Sequence, residues 1–200
     1  KAIPGVSGTS HQWDIAAVNA TYETNMPSFS SLLQRMPGNS IICSTCHNQH
    51  TSTPFTSFLR ESNTNDALCK SCHTARVKTT YAMNPANKGT HPIDIVYNLS
   101  DPRFIATTLP MSGSNVVCTT CHKVHASSST DGNLLRVSTI NSLCINCHNY
   151  KSSSSSLDHK GMTCTTCHYA HWTGSGNIYL VNDIYRITKL LILKLTILFH

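Results

Sequence analysis

The sequence predicts a mostly irregular fold, with short helices, little sheet and an interior filled by something other than aliphatic side chains. Three observations predict it. Outside its C-terminal tail the 200-residue chain is rich in Ser, Thr and Asn and poor in Leu, Ile and Val runs, so it lacks the apolar stripes by which helices and sheets pack. Prolines at 4, 27, 37, 54, 85, 102 and 110 punctuate the backbone between the candidate sites. All ten cysteines fall in five pentapeptides of one form, Cys-x-x-Cys-His, each long enough for a single helical turn.

The pentapeptides are Cys43-Ser-Thr-Cys46-His47, Cys69-Lys-Ser-Cys72-His73, Cys118-Thr-Thr-Cys121-His122, Cys144-Ile-Asn-Cys147-His148 and Cys164-Thr-Thr-Cys167-His168. Two thiols three residues apart on a helical turn can add to the two vinyl groups of one porphyrin, and the next residue then points its imidazole at the iron. The alternatives are zinc ribbons and redox Cys-x-x-Cys pairs. Zinc sites take such pairs two at a time, and five pairs do not divide that way. Histidine makes up 12 of 200 residues, so a His after every pair arises by chance roughly once in a million. The sequence therefore predicts five covalent hemes of the c type. As large rigid apolar plates tethered at two edges, they would form the core that the side chains do not supply.

Seven histidines remain. His50, His125 and His171 each lie three residues after a proximal His, in CHNQH, CHKVH and CHYAH. On a helix such a residue shares the face of the proximal ligand, so it is expected to serve the iron of a neighbouring heme, not its own. The alternative is a surface or propionate-bonding histidine, which three recurrences at one spacing disfavour. His11, His91 and His159 each precede one of these extended sites, and His91 is followed by Pro92 in an extended segment. These six are the candidate distal ligands. His200, at the end of the chain, is read as a frayed residue. Met26, Met36, Met83, Met111 and Met162 follow no repeat and read as packing residues. With a ligand on offer for each iron, an open catalytic position is not expected, and bis-histidine iron implies reduction potentials on the low side for a c-type protein.

An internal repeat organises the sites. An upstream His, an extended site CxxCHxxH, a connector and a plain site LCxxCH occur twice in full. Phe58-Leu59-Arg60 of the first copy corresponds, one residue out of step, to Leu134-Leu135-Arg136 of the second. A third copy runs from His159 to His171 without the plain site. The expected units are a first diheme unit over 1–85, a second over 86–150, a truncated monoheme unit over 151–176 and an apolar tail over 177–200. Ser152 to Ser156 reads as a flexible or glycan-bearing linker, and Asn19-Ala-Thr21 and Asn98-Leu-Ser100 fit the glycosylation sequon. The tail is rich in Ile, Leu and Tyr and reads as a β segment, buried on its own body or added to another subunit's edge. Its apolar stretches are too short for a transmembrane segment.

The formal charge of +6 would by itself suit nucleic acid or an anionic membrane. No block of Lys or Arg stands out, and five hemes would bring roughly ten propionates to pair with the basic side chains, so no nucleic-acid partner is expected. The first residue is Lys1, with no hydrophobic leader ahead of it. The expectation is a mature, secreted form whose export signal has been removed, extracellular or at the cell surface.

The pattern resembles the multiheme cytochromes with paired CxxCH motifs, and especially the extracellular cytochrome filaments of metal-reducing bacteria and some archaea. The residues that carry the resemblance are Thr9-Ser10-His11-Gln12-Trp13, the site from Cys43 to His50, the Leu-Cys-x-x-Cys-His sites and His91-Pro92. The resemblance implies a continuous stack of bis-histidine hemes in a head-to-tail homopolymer, where one subunit supplies a His to a heme of the next; by this analogy His11 is the candidate. A contact that does not close into a ring generates a filament. The implied function is extracellular electron transfer to minerals, electrodes or redox partner proteins. A monomeric periplasmic pentaheme shuttle is the alternative reading, and a multiheme reductase is the third.

Overall fold

The computed structural model describes residues 10–20, 23–50, 55–77, 91–101, 105–129, 133–148 and 163–171. The tail, the serine run and His159 lie outside these residues. What is described is mostly irregular backbone with short helices and two small antiparallel sheets, as the sequence predicts. Strand β1 (Ile15–Ala16) pairs with β2 (Ser40–Ile41), and β3 (Ile95–Val96) pairs with β4 (Asn115–Val116). In chain order the helices are α1 (Ser30–Leu33), α2 (Cys43–Cys46), α3 (Ala67–Cys72), α4 (Cys118–Cys121), α5 (Ile140–His148) and α6 (Cys164–Cys167). Among the described residues no helix is long and apolar enough to cross a membrane.

The two sheets are one device used twice. Ile15 stands opposite Ile41, and Ile95 opposite Val116. Each first strand is entered through an aspartate in left-handed backbone, Asp14 at φ 60° and Asp94 at φ 58°, a conformation Asp tolerates better than most residues. Their amides donate to the carbonyls of Ile41 (2.6 Å) and Val116 (2.7 Å). The segments after His11 and His91 are thereby fixed to the chain just before α2 and α4.

Among the described residues the aliphatic core is thin. Ala17, Leu32, Met36, Ile93, Val116, Val117 and Leu135 are the buried apolar residues described, and as many buried positions are polar: Ser10, Thr45, Asp66, Ser71, Thr120, Ser127 and Ser129. Two of these threonines brace equivalent helices. Thr45 Oγ1 accepts the Ile42 amide at 3.0 Å and donates to the Arg35 carbonyl at 2.9 Å, while Thr120 Oγ1 accepts the Val117 amide at 3.0 Å. Each starts its helix by satisfying a backbone donor that would otherwise be buried without a partner.

A candidate heme-binding array

In α2, α4 and α6 the two cysteines bound a single turn, and the proximal histidine then leaves the helix. His47 (φ −109°, ψ 145°), His122 (−107°, 151°) and His168 (−115°, 142°) all stand in extended backbone. The expectation that the extension histidines share a helical face with their proximal ligands is therefore incorrect. The extended backbone carries His50, His125 and His171 away from their own sites. The plain sites differ: Cys69 and Cys72 close the six-residue α3, and Cys144, Cys147 and His148 lie within the nine-residue α5.

The first two extended sites are anchored alike. Nδ1 of His47 lies 2.9 Å from the Ser57 carbonyl oxygen, and Nδ1 of His122 lies 2.8 Å from that of Asn133. A carbonyl only accepts, so in both rings Nδ1 carries the proton and Nε2 keeps its lone pair for a metal. Phe58 and Leu134, next to those carbonyls, sit in left-handed backbone at φ 56°, which costs bulky residues about 1–3 kcal/mol. The local bonds that offset this recur in both units: Asn48 N–H to the Phe58 carbonyl and Lys123 N–H to that of Leu134 (2.7 Å each), with Arg60 N–H to Cys46 (2.9 Å) and Arg136 N–H to Cys121 (3.0 Å). The upstream histidines are oriented in the same sense. Nδ1 of His11 lies 2.7 Å from the carbonyl of Gln12, and Nδ1 of His91 lies 3.0 Å from that of Pro92.

The histidine rings come together in twos. His11 faces His73 at 6.2 Å between ring centroids, His47 faces His125 at 6.1 Å, His91 faces His148 at 6.5 Å, and His122 faces His171 at 5.8 Å. A metal–imidazole bond of about 2 Å places each ring centroid about 3 Å from the metal, so two rings on opposite faces of one heme stand about 6 Å apart. Each pair joins one proximal histidine to one residue from the candidate distal set. His50 is exposed and stands in no such pair among the described residues. His11 meets His73 of its own chain, so the geometry gives no support to its expected role toward a neighbouring subunit.

Electrostatics suits neutral ligands. Burial pushes His73 down to about 4, helped by His11, Arg76 and His122, and pushes His171 down to about 3, helped by His122 and Arg76. Burial also lowers His91 and His125. These imidazoles are neutral at neutral pH and free to bind a metal. Several buried thiols move the other way: burial raises Cys46 and Cys72, and brings Cys121 to about 11 and Cys144 to about 12, while contact with Cys69 lowers Cys118. Among the described residues no three His, Cys, Asp or Glu side chains converge on one point, whereas an iron held in a porphyrin asks the protein for two ligands.

The sites follow one another in a row. Cys46 is near enough to Cys72 for their charges to interact, as Cys121 is to Cys147. Cys69 likewise lies near Cys118, and Cys144 near Cys164. Second cysteines thus meet inside a unit, and first cysteines meet between units. Porphyrins attached at these positions would be neighbours in the order of the sequence.

Two further observations fit that cofactor. Beside His11 the Ser10 hydroxyl and the Trp13 indole N–H are buried with no partner in the protein, a cost that a propionate edge would offset. Phe58, Val124, Ile145 and Tyr169 are exposed apolar side chains within a few residues of the sites, surface that porphyrin plates would cover.

The doubled CXXCH motif family matches the chain twice, over residues 36–78 and 110–153. The chain carries the doubled motif of multiheme c-type cytochromes. Each matched segment covers one extended and one plain site, and covalently bound c-type heme is what such motifs hold. No curated protein and no solved structure matches the chain.

Sequence reasoning found the ring residues but missed what sets them in place. The carbonyls of Ser57 and Asn133, and the braces Thr45 and Thr120, were visible only as counterparts in the repeat. Asp66 and Asn141, which join one unit to the next, also went unread; both stand three residues before the first cysteine of a plain site.

Proposed function

We propose that this chain is an electron-transfer protein that holds five c-type hemes in one row, with two histidines on each iron, and works as the subunit of an extracellular cytochrome filament. The four imidazole pairs at 5.8–6.5 Å carry the reading, because a pair leaves no face of its iron open to a substrate. When bound, the hemes supply reversible one-electron chemistry. The chain's own residues fix the order of the sites, hold the rings neutral and face each pair together, so that electrons pass along the row instead of driving a reaction at one centre.

Support for the filament comes from the register of the extension histidines. His125 of the second unit reaches back to His47 of the first, and His171 of the third reaches back to His122 of the second. Alongside each, an upstream strand is pinned: His11 N–H bonds the carbonyl of Val124 and His91 N–H bonds that of Ala170, both at 2.7 Å. Gln49 and His50 occupy the same places in the first unit and are exposed. Continuing the register makes His50 the ring that one copy offers to another. Secretion and extracellular placement belong to the same proposal.

Electron microscopy of the native holoprotein, with His50→Ala beside it, tests this. Long filaments that the substitution disperses into heme-loaded particles are the expected result. Isolated particles of the wild-type protein at all concentrations would replace the filament with the soluble shuttle and leave the electron-transfer reading standing.

A further inference from the structure

Asp66 is a buried carboxylate placed between two sites. It is 3% exposed, precedes α3 in left-handed backbone at φ 60°, and reaches across to the next unit. Its Oδ2 accepts the Thr119 amide at 2.6 Å, its two oxygens accept the Thr119 hydroxyl at 3.0 and 3.1 Å, and Asn63 Nδ2 donates to Oδ1 at 3.4 Å. Asp66 lies near both neighbouring attachment points: contact with Cys118 and burial raise the Cys69 thiol and Asp66 adds to that, while at Cys118, which contact with Cys69 lowers overall, Asp66 opposes the shift.

At the corresponding place in the second unit stands Asn141, also three residues before the plain-site cysteine. Its Oδ1 accepts the Cys164 amide at 2.8 Å. The two side chains do the same mechanical work, tying the start of the next extended helix to the preceding plain site. They differ in charge. The other charged groups described around the first bridge come largely in pairs, Lys70 with Asp94 and Arg76 with Glu23. Arg136 adds a positive charge on the carbonyl of Thr119, as its counterpart Arg60 does on that of Ser44. At the second bridge the position of Lys70 is held by Ile145.

We infer that the residue three positions before each plain-site cysteine tunes the reduction potential of the two hemes its bridge joins: Asp66 holds the hemes of Cys69 and Cys118 at lower potential, and Asn141 spares those of Cys144 and Cys164 that charge. A fixed negative charge close to an iron disfavours the added electron through Coulomb repulsion, more so where the surroundings are dry. The step concerned is one electron leaving one iron for the next, with no bond made or broken and no proton moved. Asp66 is thus a positioning residue for the bridge and a source of field for the two irons. This rests on the electron-transfer reading above.

The test is a spectroelectrochemical titration of the heme-loaded protein with Asp66→Asn and Asn141→Asp. Asn can accept the Thr119 amide as Asn141 accepts that of Cys164, so D66N keeps the bridge while removing the charge. N141D adds a charge without removing a hydrogen-bond acceptor. D66N is expected to raise two of the midpoint potentials and N141D to lower two others. Each change is roughly tenfold in the reduction equilibrium, or about 59 mV for one electron, with the low-spin spectrum unchanged. A merely structural role would alter thermal unfolding and leave every potential in place. Potentials that stay within twofold in both variants overturn the inference and leave electron transfer intact, whereas a protein that binds heme but shows no reversible reduction overturns both.

Discussion

The extended and the plain sites use the same pentapeptide in opposite ways. The first two extended sites each have a one-turn helix and a proximal ring clamped by a carbonyl ten or eleven residues on, and the second histidines of the second and third, His125 and His171, reach the preceding unit. A plain site sits on a longer helix and receives its partner, His11 for His73 and His91 for His148. Among the described residues the second extended site both gives a ring and receives one, while the plain sites only receive. The difference teaches that the unit is not self-sufficient: both rings facing the first unit's proximal histidines lie on or against the second unit's extended site. Such interlocking is how repeat proteins gain stability that no single repeat possesses.

The comparison breaks most visibly where a histidine is removed. His125→Ala is expected to open the iron held by His47, and His171→Ala the iron held by His122. Each variant should convert one heme from low-spin to high-spin, read by electron paramagnetic resonance, and leave the plain sites untouched. Altered plain-site hemes would show the pairing to be incorrect.

Smaller effects separate the two copies. Leu135, beside the second extended site, is 4% exposed, whereas its counterpart Leu59 is half-buried. Leu135→Ala should therefore destabilise the holoprotein by about 2–4 kcal/mol, and Leu59→Ala by less, in chemical denaturation. Replacing the brace Thr120 by Val leaves the Val117 amide buried without its acceptor, at about 1–3 kcal/mol, with Thr45→Val comparable.

The mildest lever is pH. An ordinary histidine titrates near 6.5, and burial holds His73 at about 4 and His171 at about 3. Above about 6.5 both rings are neutral folded or unfolded, and no penalty exists. As pH falls below that, the unfolded chain takes up protons that the folded rings refuse, so stability declines with falling pH. An acid titration followed by unfolding temperature should be flat from pH 8 to 7 and fall below about 6.5.

Covalent chemistry made the attachment sites legible. Two thioethers and an iron bond require five consecutive residues, so Cys43 to His47 and its counterparts announce themselves locally. The near absence of aliphatic runs likewise foretold the thin core seen among the described residues, where Leu135, Val117 and Ile93 are three of the seven buried hydrophobic side chains. Partner assignment was not legible, because His11 and His73 meet only through tertiary structure. Helical spacing misled at His50, His125 and His171, because the proximal histidine leaves the helix before the spacing can act. Asp66 was hidden for another reason: an acidic residue before a helix looks like an ordinary capping residue, and only its reach to Thr119 shows otherwise.

The central claim, that paired histidines close both faces of each iron, is tested most directly by electron paramagnetic resonance of the fully oxidised native holoprotein together with its heme count. The account predicts five hemes per chain, all low-spin with bis-histidine signatures. A high-spin iron in the native protein, or a histidine–methionine signature, would contradict it.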